Sequence, residues 1–247
     1  MLAIIGGSGL TQLSTLQIIR REVARTPYGE PSGALTFGLL NEREVVFLAR
    51  HGYGHTIPPH IVNYRANIWA LKHAGARAIV SVASVGSIHS DFIPGSLIIP
   101  DQIIDYTWGR PNTFFDTTDG PVRHTEFTYP YDTDLRGYLL AAAKAVGDPV
   151  VDGAVYAAMQ GPRLDTAAEI NRLERDGADV VGMTGMPEAI LARELDLPYA
   201  AINVVANMAA GRHSSRNGVH FGTIETVLRD AMIRVHRILE ALSRLSP

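Results

Sequence analysis

No cysteine occurs in the 247 residues, which excludes disulfides, thiolate nucleophiles and Cys-ligated zinc. Lysine is nearly absent as well. Only Lys72 and Lys144 occur, and neither follows a glycine, so a phosphate-binding P-loop has no candidate and a Schiff-base lysine has little to draw on. Net positive charge is also missing: the formal charge is −3 with 19% charged residues, which argues against a nucleic-acid partner held by bulk electrostatics. No apolar run approaches the ~18 residues of a membrane span. Leu2-Ala3-Ile4-Ile5 passes straight into glycines, without the charged and apolar pattern of a leader. These absences predict a soluble, cytoplasmic globular protein with no membrane partner.

At 46% hydrophobic residues, the chain can bury the core of one large α/β domain or two small ones. Its basic charge rests almost wholly on arginine, whose planar fork suits oxyanions better than a point charge does. Apolar runs predict strands at 2–5, 34–40, 44–49, 78–85, 96–99, 151–159, 179–181 and 199–205, with Asn41-Glu42-Arg43 as a hairpin turn. Ile61, Tyr64, Ile68 and Leu71 recur at helical spacing, and Gly75 is a plausible stop. Further helices are expected near 132–146, 165–176, 186–195 and 222–244. The stretch from Tyr106 to Tyr131, rich in Thr, Pro, Asp and aromatics, reads as a long functional loop. Strands alternating with helices, with no internal repeat or linker, predict a single three-layer α/β sandwich around a mixed sheet.

Polar islands interrupt the apolar runs, all at predicted strand ends, where ligands of open α/β sheets collect. Gly6-Gly7-Ser8-Gly9 follows the first strand and can form an anion nest; the same glycines also suit a plain turn. A dinucleotide fingerprint is excluded by Gln12 at the third glycine position, and a nucleophile elbow by Leu10 two residues after Ser8. Arg50-His51-Gly52 ends another strand, as an anion fork or a salt-bridge residue. His51, His55 and His60 are close in sequence, yet no HExxH or carboxylate pattern accompanies them, so no metal is expected. Gly161-Pro162-Arg163-Leu164-Asp165 opens a helix that Asp165 or Thr166 can cap. Met183-Thr184 precedes the helix near Pro187. Asn203 and Asn207 lie in an apolar strand end, where buried amides either tie down backbone or meet a ligand.

Together these islands resemble the trimeric purine nucleoside phosphorylases, most closely their methylthioadenosine phosphorylase branch. The resemblance spans nearly the whole of residues 1–247, taken as one nucleoside phosphorylase domain. It rests on Ile4-Ile5-Gly6-Gly7-Ser8-Gly9-Leu10, Thr26-Pro27-Tyr28-Gly29, Leu48-Ala49-Arg50-His51-Gly52, the run from Val62 to Leu71, and Gly182-Met183-Thr184. It implies that Ser8, Arg50, His51 and Thr184 hold phosphate, a co-substrate rather than a cofactor, and that no other cofactor is needed. Ala83-Ser84 stands where a phosphate-binding threonine is usual, leaving Ser84 as the hydroxyl there. Met183 would lie under the ribose, and Leu164 would replace a phenylalanine against the base. Ile224, Val227 and Leu228 would line a methylthio pocket, closed by His124 from a neighbouring subunit of a homotrimer.

Two departures bear on the base. Asn207 and Ala209 stand where methylthioadenosine enzymes carry aspartates, and an amide can donate to O6 of a 6-oxopurine. Asp165 falls where 6-oxopurine phosphorylases face N1–H with a glutamate. The combination implies phosphorolysis of 5′-methylthioinosine, with Arg50, Asp165 and Asn207 nearest the chemistry. An inosine/guanosine phosphorylase, a methylthioadenosine phosphorylase, a phosphate-independent hydrolase and a non-catalytic nucleoside sensor are the alternatives.

Overall fold

The computed structural model describes residues 1–10, 13, 15–118 and 120–245; Gln12 lies outside the described residues. The strands are, in chain order, β1 (Leu2–Gly6), β2 (Gln17–Glu22), β3 (Leu35–Leu40), β4 (Arg43–Ala49), β5 (Ala78–Ser87), β6 (Leu97–Ile99), β7 (Gln102–Asp105), β8 (Val151–Asp152), β9 (Val155–Ala158), β10 (Val180–Gly182) and β11 (Tyr199–Met208). The helices are α1 (Tyr64–His73), α2 (Thr133–Ala145), α3 (Ala167–Arg175), α4 (Gly185–Glu194) and α5 (Phe221–Leu245).

All the strands join one mixed sheet, ordered β2-β3-β4-β1-β5-β10-β9-β7, with a branch from β5 through β11 and β6 to β8. β1 is parallel to both β4 and β5, and β11 is parallel to β5. Successive side chains of a strand face opposite sides, and the fully buried β1 shows the result. Ala3 and Ile5 enter one core with residues of α1 and α4, while Leu2 and Ile4 enter another with α2 and α5. A smaller cluster packs Ile170 and Leu173 of α3 beneath Ala157 and Val181. Helices thus cover both faces, and the three-layer sandwich with a mixed sheet is as expected.

Local chemistry sets the element ends. Asn41 and Glu42 both take positive φ (49° and 64°), so the β3–β4 hairpin closes through two residues and Arg43 begins β4. Asn63 caps α1 by accepting from Ala66 N at 3.1 Å. Ile61 therefore lies outside the helix and is exposed, whereas Tyr64, Ile68 and Leu71 are buried as their spacing predicts. The expected strand over 151–159 is split into β8 and β9 by Gly153, at φ 89°. Thr166, not Asp165, caps α3, in a capping box with Glu169, an arrangement worth about 1 kcal/mol. Segment 106–131 carries no helix or strand among its described residues, in keeping with a long loop. No helix among the described residues is long and apolar enough to cross a membrane.

Candidate functional site

β1, β4 and β5 run parallel, so their carboxyl ends share one edge of the sheet. A cavity of about 550 Å³ opens there, walled also by the loops before α3 and α4 and by the start of α5. Eleven expected site residues line it: Ser8, Arg50, His51, Ser84, Leu164, Asp165, Met183, Thr184, Asn207, Ile224 and Leu228. Ser8 and Leu228, 220 positions apart in sequence, are brought together by the sheet and the helix α5 that packs on it.

Arg50 sits at the floor and is fully buried. Its fork does not face the cavity. Nε donates to Glu188 Oε2 at 2.6 Å and Nη2 to Glu188 Oε1 at 2.8 Å. Nη2 also donates to Ser81 Oγ (2.6 Å), and Nη1 to the Val82 carbonyl (3.1 Å). Four of the five guanidinium N–H groups are thereby used, and one on Nη1 is left for a ligand. Burial alone would favour the neutral guanidine, but the charge and hydrogen bonds of Glu188 outweigh it and raise the pKa above its ordinary value. Arg50 thus offers an anion one N–H, from a charge already paired within the protein.

Gly7 explains how Nη1 comes so near the cavity wall. A Cβ built on Gly7 would lie 2.6 Å from Arg50 Nη1 and 2.7 Å from the Val82 carbonyl. Gly7→Ala is expected to cost about 1–3 kcal/mol through overpacking and to displace the guanidinium. Thermal melts with and without phosphate check this: the wild type should gain stability from phosphate, and the variant should not. A variant that keeps the full phosphate-induced rise would remove Nη1 from the anion site.

His51 holds a defined tautomer, because Nδ1–H donates to the Ile57 carbonyl at 2.7 Å. Nε2 therefore carries a lone pair. Burial, then the Arg50 charge, lower its pKa from 6.5 to about 4, with a smaller push from His55. Between these values the unfolded chain binds a proton that the folded chain does not, so stability falls as pH drops from 6.5 towards 4. His51→Gln should lessen that fall, which urea unfolding of both proteins across the window measures; parallel curves would contradict it. The His51 and His55 rings lie 4.7 Å apart, and His55 Nε2 lies 3.4 Å from Ser8 Oγ. Thr184 precedes α4, and its hydroxyl makes no capping hydrogen bond. No group of three or more His, Asp or Glu side chains that could hold a metal ion occurs among the described residues.

At the other end, β11 shifts register between Val205 and Asn207 against β5. Such a bulge re-aims the side chain beyond it, and Asn207 points into the cavity rather than into the core. Its Nδ2 donates to the Met208 carbonyl at 2.7 Å, leaving one amide hydrogen and Oδ1 for a ligand. Asp165 is half-buried, and burial followed by the Glu169 charge raises its pKa. Asn203 stays buried away from the cavity wall. Ile224 and Leu228, one turn apart on α5, form an apolar end with Val219 and Phe221. Val227 turns off that face and does not line the cavity. His124 is exposed on the long loop, outside its own chain's cavity. Glu188, His55 and Phe221 were not among the expected site residues; the buried carboxylate in particular has no sequence spacing that ties it to Arg50.

A family profile described as the phosphorylase superfamily matches residues 1–244. The chain belongs to that superfamily. A probable S-methyl-5′-thioinosine phosphorylase of Pseudomonas syringae pv. tomato is 54% identical over 237 residues, covering 96% of each chain. A 6-oxopurine nucleoside phosphorylase of Pyrococcus furiosus is 44% identical, covering 98% of this chain and 91% of the relative. Among solved structures, a methylthioadenosine phosphorylase from Schistosoma mansoni in complex with adenine matches at TM-score 0.94 and 32% identity, over 99% of this chain and 91% of that one.

Proposed function

We propose that the chain catalyses the reversible phosphorolysis of 5′-methylthioinosine to hypoxanthine and 5-methylthioribose 1-phosphate, as a cytoplasmic homotrimer that needs no cofactor beyond its co-substrate phosphate. The observation that carries this reading is one cavity with three chemically distinct ends: hydroxyls and a buried cation, an amide beside a carboxyl, and an apolar mouth. Ser8, Ser84, Thr184, His51 and the free N–H of Arg50 hold phosphate beneath C1′. His51 Nε2, as an acceptor, takes the hydroxyl of a monoprotonated phosphate. Met183 supports the ribose, and Leu164 packs on the base without aromatic stacking. Ile224 and Leu228 receive the methylthio group, with His124 lent by a neighbouring copy.

In the reaction the C1′–N9 bond breaks, its electron pair stays with the purine, a phosphate oxygen bonds to the cationic C1′, and the proton of the monoprotonated phosphate ends on the purine anion to give neutral hypoxanthine. Asn207 donates to the charge building at N7 and O6, and ionised Asp165 accepts from N1–H. Donors fixed where charge develops are worth more in a dry site than in water, and holding both substrates in line supplies much of the remainder. No protein nucleophile takes part. The names of the relatives in Pseudomonas and Pyrococcus support a 6-oxopurine, and the apolar mouth supports a 5′-thioether over a 5′-hydroxyl. Hypoxanthine release from methylthioinosine with and without phosphate tests the reaction class. Release that requires phosphate is expected; equal release in its absence would make the protein a hydrolase.

A further inference from the structure

Arg110 lies in the irregular 106–131 segment, yet it is only 8% exposed. Its guanidinium is a junction of three chain segments. Nη1 donates to the carbonyls of Met183 (2.8 Å) and Met186 (2.7 Å), and Nη2 to those of Gln160 (2.8 Å) and Met159 (3.3 Å). Nε reaches Gln160 Oε1 at 3.2 Å, and Nη1 reaches Tyr64 Oη at 3.3 Å. Every one of these acceptors is a neutral oxygen. A cation taken out of water without a carboxylate is costly to keep, and the carbonyls it meets show what is gained. Gln160 leads into the loop that carries Pro162, Leu164 and Asp165, and Met183 lies in the loop that carries Gly182 and Thr184; all five line the cavity. Tyr64 Oη in turn donates to the carbonyl of Pro59, a third part of the wall. Thr184 shares the Met183 loop, whereas Arg50 hangs on a different support, its pair with Glu188.

We infer that Arg110 is a positioning residue chiefly for the nucleoside half of the cavity, fixing the base-facing and ribose-facing loops relative to each other; of the phosphate-facing groups only Thr184 lies in those loops, and Arg50 is held by Glu188 instead. It touches no substrate; it acts through the backbone of Met183 and of the 159–165 loop. The packing between the two loops explains why their separation must be held: a Cβ on Gly161 would lie 2.4 Å from Met183 Sδ. The nucleoside part of the inference rests on the function proposed above, and the loop-fixing part does not.

The test uses the full chain with Arg110→Lys and Arg110→Ala. Amide hydrogen exchange is followed in both without ligand, beside steady-state kinetics with each substrate varied in turn. Exchange should quicken over 159–165 and 182–187 and stay unchanged over 50–57. Kinetically, kcat/KM for the nucleoside should fall on the order of 10²-fold, as misplacement remote from the chemistry can produce, with a much smaller rise in KM for phosphate, because of its proposed contacts Thr184 alone lies in a loop that Arg110 holds. Guanidinium ion should restore part of the activity of Arg110→Ala, which a general loss of folding would not allow. Unchanged exchange in the two loops overturns the inference whatever the substrate proves to be. An equal loss for nucleoside and phosphate overturns it as well. A wild type inactive on purine nucleosides defeats the functional reading alone, since the exchange result still decides the role of Arg110.

Discussion

Replacing Glu188 by leucine is expected to destabilise the protein by about 3–5 kcal/mol, the usual cost of leaving a buried charge without its partner. For a chain of this size that is a fall of roughly 6–20 °C in Tm. Arg50 cannot escape the cost by moving, because it is fully buried and its fork is aimed at this one carboxylate. Deprotonation offers no relief either, since a guanidinium keeps its proton at any ordinary pH. Tyr199, also buried, would lose the acceptor for its hydroxyl, now 2.8 Å from Glu188 Oε1. The double variant Arg50→Met/Glu188→Leu separates the two roles of the pair. Apolar replacement of a whole buried ion pair is often neutral or stabilising, so thermal melts should recover most of the lost stability while phosphate no longer raises Tm. A Glu188→Leu protein that melts like the wild type would show that Arg50 does not depend on this carboxylate.

Asn207→Ala is expected to lower the turnover of 6-oxopurine nucleosides by about 10²–10³-fold, the typical cost of a missing donor at developing charge. The fold should survive, because among the described residues the hydrogen bond that the Asn207 side chain donates is to its neighbour, Met208. Steady-state kinetics and a melt of the same sample separate the two effects. Asn207→Asp is the informative companion. An ionised carboxylate can only accept, so it should lose methylthioinosine while gaining on methylthioadenosine, whose 6-amino group donates. Near-normal turnover by Asn207→Ala would take this residue out of base recognition.

Much of this architecture was legible because burial writes itself into residue type. β1, β4, β5 and β11 are apolar runs with a glycine or polar residue at or next to the carboxyl end (Gly6, Arg50, Ser87, Asn207), and the cavity lies near those ends. β2 escaped because Gln17–Glu22 is exposed throughout and pairs with the sheet along one edge only, leaving no apolar alternation to read. β7 follows Pro100 closely and is only half-buried, so no strand is expected there from the sequence. The site residues on strand ends were legible as types; their commitments were not. Arg50 looks the same in sequence whether its fork grips a ligand or Glu188, 138 residues away. Arg110 is one arginine in an irregular loop, and only the folded chain shows its six neutral acceptors. Such partnerships between distant residues leave no periodicity, whereas caps such as Thr166 with Glu169 do.

The most direct test of the account is the ratio of kcat/KM for methylthioinosine to that for methylthioadenosine, measured side by side in the same phosphate buffer. The amide of Asn207 beside the carboxyl of Asp165 predicts a clear preference for methylthioinosine. A preference for methylthioadenosine would contradict it, leaving the phosphorylase fold and the phosphate end in place but overturning the account of how the base is read.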